Sequence, residues 1–135
     1  MNKSGVVRLE HLYPQPPAKV WRALTDPELH GRWWAKGDVK AVVGHRFTLD
    51  MGPFGQQACE VLEVEVERKL KYSFAPGTLD TTITWLLEPA GAGTKLTLIH
   101  EGFDLDSPLG QRAFHGMGGG WPKILPRITD VAASA

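Results

Sequence analysis

The sequence carries a single cysteine, Cys59, among its 135 residues. No internal disulfide can form, and no cysteine-based zinc site can be built. Charge of one sign is missing as well, since 15 basic side chains balance 15 acidic ones. A protein that grips nucleic acid or another polyanion needs a concentrated basic face, so nucleic acid is not an expected partner. No apolar run approaches the roughly 18 residues of a membrane span, and Met1 to Arg8 hold no apolar core of a secretory signal. These absences predict a soluble, cytoplasmic protein with no membrane insertion.

Several chemical motifs are approached and then broken. His100-Glu101 opens like the His-Glu-x-x-His pattern of zinc proteases, but Asp104 stands where the second histidine is needed. His11, His30, His45, His100 and His115 share no ligand spacing, although strand pairing would let His11 and His100 converge; no metal is expected. Gly116, Gly118, Gly119 and Gly120 lack the Gly-Lys-Ser/Thr ending of a phosphate loop, and Trp121 occupies the last glycine position of a dinucleotide fingerprint, so no cofactor is expected. No nucleophile elbow occurs, and Cys59 beside Glu60 is poorly placed to form a stabilised thiolate.

What is present reads as one domain over residues 1–135, long enough to bury about two-thirds of its surface. Val6 to Tyr13 alternates as a strand with Val7, Leu9, His11 and Tyr13 on one side, and Pro14 to Pro17 ends it. Ala18 to Leu24 predicts a short helix. Thr25 or Asp26 caps a second one that begins at Pro27 and stops at Gly31. Strand patterns follow: a weak one at Val39 to Val43, then Arg46 to Met51, a turn at Gly52 to Gly55, and Gln56 to Glu67. The last of these sets Leu62, Val64 and Val66 against a wet glutamate face. Leu70 to Phe74, Thr81 to Glu88 and Thr94 to Glu101 continue the period, with Pro89 to Gly93 as a hairpin loop.

From Ser107 the period becomes helical, with Ser107 as N-cap, Pro108 at the first position and an apolar stripe through Leu109, Phe114, Trp121, Ile124, Leu125, Ile128 and Val131. The glycines inside this stripe predict either a close approach of helix to sheet or a break between two helices. The order is that of an α+β layer fold.

Five segments carry a resemblance that extends over nearly the whole chain. They are Val20-Trp21 with Thr25-Asp26-Pro27 and Trp33-Trp34; Glu60 to Val64 leading to Arg68-Lys69-Leu70; Thr84 to Pro89 with Gly93-Thr94; His100-Glu101-Gly102-Phe103; and Gly120-Trp121. In this order they resemble the START-like (SRPBCC, helix-grip) superfamily, in particular the branch named after the activator of the Hsp90 ATPase. The resemblance implies an antiparallel sheet of about six to seven strands, two short helices after the first strand, a long C-terminal helix over the sheet, and a cavity between helix and sheet.

It also implies function. A carrier or sensor of a small hydrophobic molecule would use Trp33, Trp34, Phe47, Tyr72, Trp85, His100, Phe114, Met117 and Trp121 as pocket contacts. A cyclase- or hydrolase-type enzyme would use His100 or Glu60 as general acid/base. Simple alternation turns Glu60 inward, whereas a β-bulge near Ala58 to Glu60 returns it to water. A protein-interaction module, as a homodimer or in contact with a chaperone during the stress response, is the third reading.

Overall fold

The computed structural model describes residues 4–52 and 55–135. The expected turn at Gly52 to Gly55 contains Pro53 and Phe54, which lie outside the described residues, as do the first three of the chain. In chain order the elements are β1 (Ser4–Tyr13), α1 (Pro17–Thr25), α2 (Pro27–Trp33), β2 (Arg46–Asp50), β3 (Gln56–Glu65), β4 (Lys69–Phe74), β5 (Thr81–Ala90), β6 (Gly93–Asp104), α3 (Pro108–Ile124) and α4 (Arg127–Ala133). The strands form one antiparallel sheet in the order β1-β6-β5-β4-β3-β2, so the first and last strands of the chain pair. This is the α+β helix-grip arrangement.

Local chemistry explains the helix starts. Asp26 caps α2 by accepting from the amides of Glu28 at 2.9 Å and Leu29 at 3.2 Å, and Pro27 supplies a residue that needs no donor there. Gly31 does not end this helix, which runs on to Trp33 because Trp33 and His30 both bury on its inner side. Ser107 caps α3 by accepting from the Gly110 amide at 2.9 Å.

The strands depart from the sequence pattern in several places, β3 ending at Glu65 and β6 running on to Asp104 among them. Val39 to Val43 forms no strand: the amide of Val42 bonds to Lys40 and that of His45 to Val42, so local turns take the donors a ladder needs. The β5–β6 loop is shorter than expected, because Pro89 and Ala90 still pair with Thr94 and Gly93. Pro89 is tolerated because β4 reaches only to Leu86 on the other side, leaving no ladder bond for the missing N–H to break. In β3 the register slips between Val61 and Glu63. The bulge at Leu62 faces Cys59 and Val61 inward and leaves Leu62 and Glu60 outside, so Glu60 reaches the surface through a bulge two residues later than Ala58 to Glu60.

A second bulge matters more for the interior. Gly5 pairs with Phe103 and Val6 with Glu101, which leaves Gly102 as the extra residue. Its φ of +95° is a conformation that side-chain-bearing residues rarely adopt. The slip brings His100 and Phe103, three apart in sequence, onto the same buried face.

α3 packs chiefly on β1, β6 and α4. It stays helical through its glycines and through Pro122, and the break falls at Leu125-Pro126. Neither expectation for the glycines describes this helix. A Cβ at Gly119 or Gly120 would meet nothing within 4 Å, and at Gly118 it would make ordinary contact with Val7 at 3.7 Å. Gly119→Ala is therefore expected to raise stability by about 0.5–1 kcal/mol, since glycine costs backbone entropy in a helix and here nothing is gained from its small size. A urea midpoint lower than that of the wild type would show that the glycine has a role.

Candidate functional site

The interior between sheet and helices is mostly aromatic. Trp33 from α2, Trp85 from β5 and Trp121 from α3 are all fully buried and meet edge to face, with centroids 5.6 Å apart for Trp33–Trp85 and 5.5 Å for Trp85–Trp121. Trp34 lies 4.7 Å from Trp121 and 6.2 Å from Phe74, bridging the cluster to the end of β4. Edge-to-face rings gain from their quadrupoles beyond area burial, which favours one fixed arrangement.

Every indole N–H in this buried trio has an acceptor. Trp33 donates to the Ala23 carbonyl at 2.7 Å, Trp85 to the Tyr72 hydroxyl at 3.0 Å, and Trp121 to His100 Nδ1 at 3.1 Å. The last bond fixes the histidine. Because Nδ1 accepts, the proton sits on Nε2, which donates to Thr81 Oγ1 at 3.0 Å; Thr81 in turn donates to the Phe74 carbonyl at 3.3 Å. Burial disfavours the charged ring and lowers its pKa to about 3, so His100 is neutral at physiological pH and both nitrogens are occupied.

A second buried imidazole, His30, was not singled out by sequence. Its Nδ1 donates to the Ala35 carbonyl at 2.7 Å, and burial lowers its pKa to about 4. Cys59 is buried and its thiol is pushed up to about 12, so it stays protonated. Glu60 lies on the outer sheet face and pairs with Arg46 at 3.1 Å. His11 pairs across the sheet with Leu96 and His100 with Val7, so the two histidines do not converge.

The open space on the helix side lies beside this cluster rather than within it. A pocket of about 600 Å³ separates α3 from the far end of the sheet and the β4–β5 loop. Its floor is Met51, Gln57 and Phe74, its side is Thr78 and Leu79, and its roof is one stripe of α3: Leu109, Arg112, Ala113, Gly116 and Met117. The spacing of three and four residues puts these five on one helix face. The pocket exists because α3 rests on β1 and β6 and stands off β2 to β4. A wider, more open hollow of about 780 Å³ lies at the opposite face around Arg46, Glu60 and Ser73, where the ion pair faces solvent.

The sequence profile of the activator of Hsp90 ATPase homolog 1-like proteins matches residues 14–133. The chain belongs to that family. Protein MLL2253 of Mesorhizobium loti is 33% identical, with a TM-score of 0.84 over 97% of this chain and 98% of its own. Protein BH1534 of Bacillus halodurans is 26% identical, with a TM-score of 0.82 over 98% and 99%. The Aha1 protein of Colwellia psychrerythraea, a dimer in solution, shares the fold at 16% identity, with a TM-score of 0.80 over 95% and 96%. No curated protein matches.

The candidate contacts divide into three groups. Met117 lines the pocket. Trp33, Trp34, Tyr72, Trp85, His100 and Trp121 form the aromatic interior, joined to the pocket floor through Phe74, which contacts His100 at 5.6 Å and Trp34. Phe47 stacks edge-on to Tyr72 at 5.3 Å, and Phe114 turns toward β1 and β6, where it meets Phe103 at 5.5 Å. Phe74, Leu79 and Arg112 are pocket residues that sequence reasoning missed. The i, i+3, i+4 stripe on α3 was the available signal for Arg112, but pattern reading discards a charge from an apolar stripe. No helix among the described residues is long and apolar enough to cross a membrane.

Proposed function

We propose that the chain binds a small hydrophobic molecule in the pocket between α3 and the β2–β4 end of the sheet. One observation carries the reading: the apolar stripe of a core-facing helix, Leu109, Ala113 and Met117, lies over space instead of over side chains. Leu109 remains 53% exposed. An amphipathic helix is normally stabilised by burying that face, so a ligand that fills the gap gains the apolar contact the fold leaves unmade. The volume lies within the roughly 300–1,000 Å³ of small-molecule sites, and the mostly carbon walls suit an apolar body. The acid–base reading finds less support, because Glu60 is outside the sheet and both His100 nitrogens are occupied within the core.

Gly116 offers a clean test. It lines the pocket, and a Cβ there would meet nothing within 4 Å, so Gly116→Leu starts its side chain in open space beside the cavity and is designed to take up part of it. Titration with the neutral fluorophore N-phenyl-1-naphthylamine should show saturable binding to the wild type and at least about tenfold weaker binding to Gly116→Leu, whose thermal stability should be unchanged or higher. Equal affinity for both proteins would remove this pocket as the site.

The homodimer is carried over from the Colwellia protein as a second proposal. Sedimentation velocity at micromolar concentration tests it, and a single species at monomer mass would reject it.

A further inference from the structure

Arg112 is the one charged side chain among the described residues that line the pocket. Its place is unusual. It stands between Leu109 and Ala113 on the apolar stripe of α3, with Gly116 one turn further along, so it shares the face that roofs the cavity. No acidic residue lies three or four positions away on the helix, and Arg112 enters no ion pair or hydrogen bond among the described residues.

The other polar side chains of the pocket carry no charge. Thr78 spends its hydroxyl proton on the Ala75 carbonyl at 3.0 Å, and Gln57 is a neutral amide with an interaction of its own. The cationic donors among the lining residues are therefore those of one guanidinium, set beside walls of Met51, Phe74, Leu79 and Met117. A guanidinium presents a planar fork that matches a carboxylate with two parallel hydrogen bonds.

Building on the hydrophobic-pocket reading, we propose that the ligand is an amphipathic anion, an apolar body ending in a carboxylate that pairs with Arg112 at the pocket mouth. The apolar part lies along Leu109, Ala113 and Met117 over Phe74. The carboxylate stays at the solvent edge, where its desolvation is small and the exposed arginine reaches it. A neutral hydrophobe of the same length fills the same space and leaves Arg112 unpaired, so the arginine separates two ligands that the apolar walls cannot.

The experiment is competition of dodecanoate and dodecan-1-ol, each below its aggregation limit, against bound N-phenyl-1-naphthylamine at neutral pH. Wild type, Arg112→Gln, Arg112→Lys and Gly116→Leu are compared. In the wild type dodecanoate is expected to displace the probe at a concentration several-fold lower than dodecanol. Arg112→Gln should weaken dodecanoate about tenfold and affect dodecanol and the probe far less; Arg112→Lys should retain part of the preference, since it keeps the charge and loses the fork. Binding of the probe and of dodecanol with no dodecanoate preference, or a preference that survives in Arg112→Gln, would overturn the anion proposal and leave the pocket standing. If the probe does not bind, or binds Gly116→Leu as well as wild type, the pocket reading fails and the anion proposal falls with it.

Discussion

Trp121→Ala is expected to lower the free energy of unfolding by about 3–5 kcal/mol, the range for truncating a large buried aromatic. Trp121 is fully buried, meets Trp34 and Trp85, and gives its indole proton to His100. Truncation empties the centre of the ring cluster and leaves the Nδ1 lone pair of a buried histidine without a donor. Trp121→Phe is the milder change. It keeps an aromatic ring in the cluster while removing the N–H and part of the indole, so its cost should be about 1–3 kcal/mol. Urea unfolding followed by far-ultraviolet circular dichroism measures both. A Trp121→Ala protein within about 1 kcal/mol of the wild type would mean that the cluster does not pack as described.

Stability should also fall by roughly 3–4 kcal/mol between pH 7 and pH 5, a window that lies mostly above the range in which carboxylates titrate. His30 and His100 have folded-state pKa values near 4 and 3, against an ordinary 6.5 for the unfolded chain. Both shifts are downward and both come from burial. Between those values and pH 6.5 the unfolded chain binds protons that the folded chain excludes, so stability is complete above about pH 7 and decreases as pH falls through the window. At pH 5 each ring contributes a loss of about 2 kcal/mol. Glu10 and Glu63 are held below their ordinary values by Lys95 and Lys69, so their contribution is lost only at more acidic pH. Urea midpoints at pH 7.5, 6 and 5 test the expectation. His30→Asn, which keeps a donor near the Ala35 carbonyl, should remove about half of the slope; a wild-type midpoint that stays flat from pH 7.5 to 5 would contradict it.

Both predictions place weight on residues first read as ligand contacts. Tryptophans and a histidine on inward positions are what a polar-edged pocket and an aromatic core have in common, and composition does not separate the two. The distinction depends on whether the indole N–H groups find acceptors within the protein. Trp85 and Trp121 find them in Tyr72 and His100, pairings that join β5 to β4 and α3 to β6. Glu60 shows the same limit at shorter range. Alternation along β3 turned it inward, and a one-residue bulge at Leu62, set by pairing with β4, put it with Arg46 on the outer face.

The sequence by itself determined the element order apart from the strand expected at Val39 to Val43 and the division of the C-terminal helix into α3 and α4, the caps at Asp26 and Ser107, the inward faces of β1, β2, β4, β5 and most of β6, and the membership of the family, because each of these depends on local spacing or on short ordered motifs. The spacing of Leu109, Arg112, Ala113, Gly116 and Met117 also requires them to share one helix face, since a helix has 3.6 residues per turn, although the apolar stripe read from the sequence ran from Leu109 through Phe114 and Trp121 instead. Only the tertiary structure decided what that face meets. α3 rests on β1 and β6 and stands off the other end of the sheet, and the bulge at Gly102 sends both His100 and Phe103 inward to fill the centre. Bulges and helix stand-off are settled by packing among elements distant in sequence, so the aromatic cluster became the core and the pocket opened beside it.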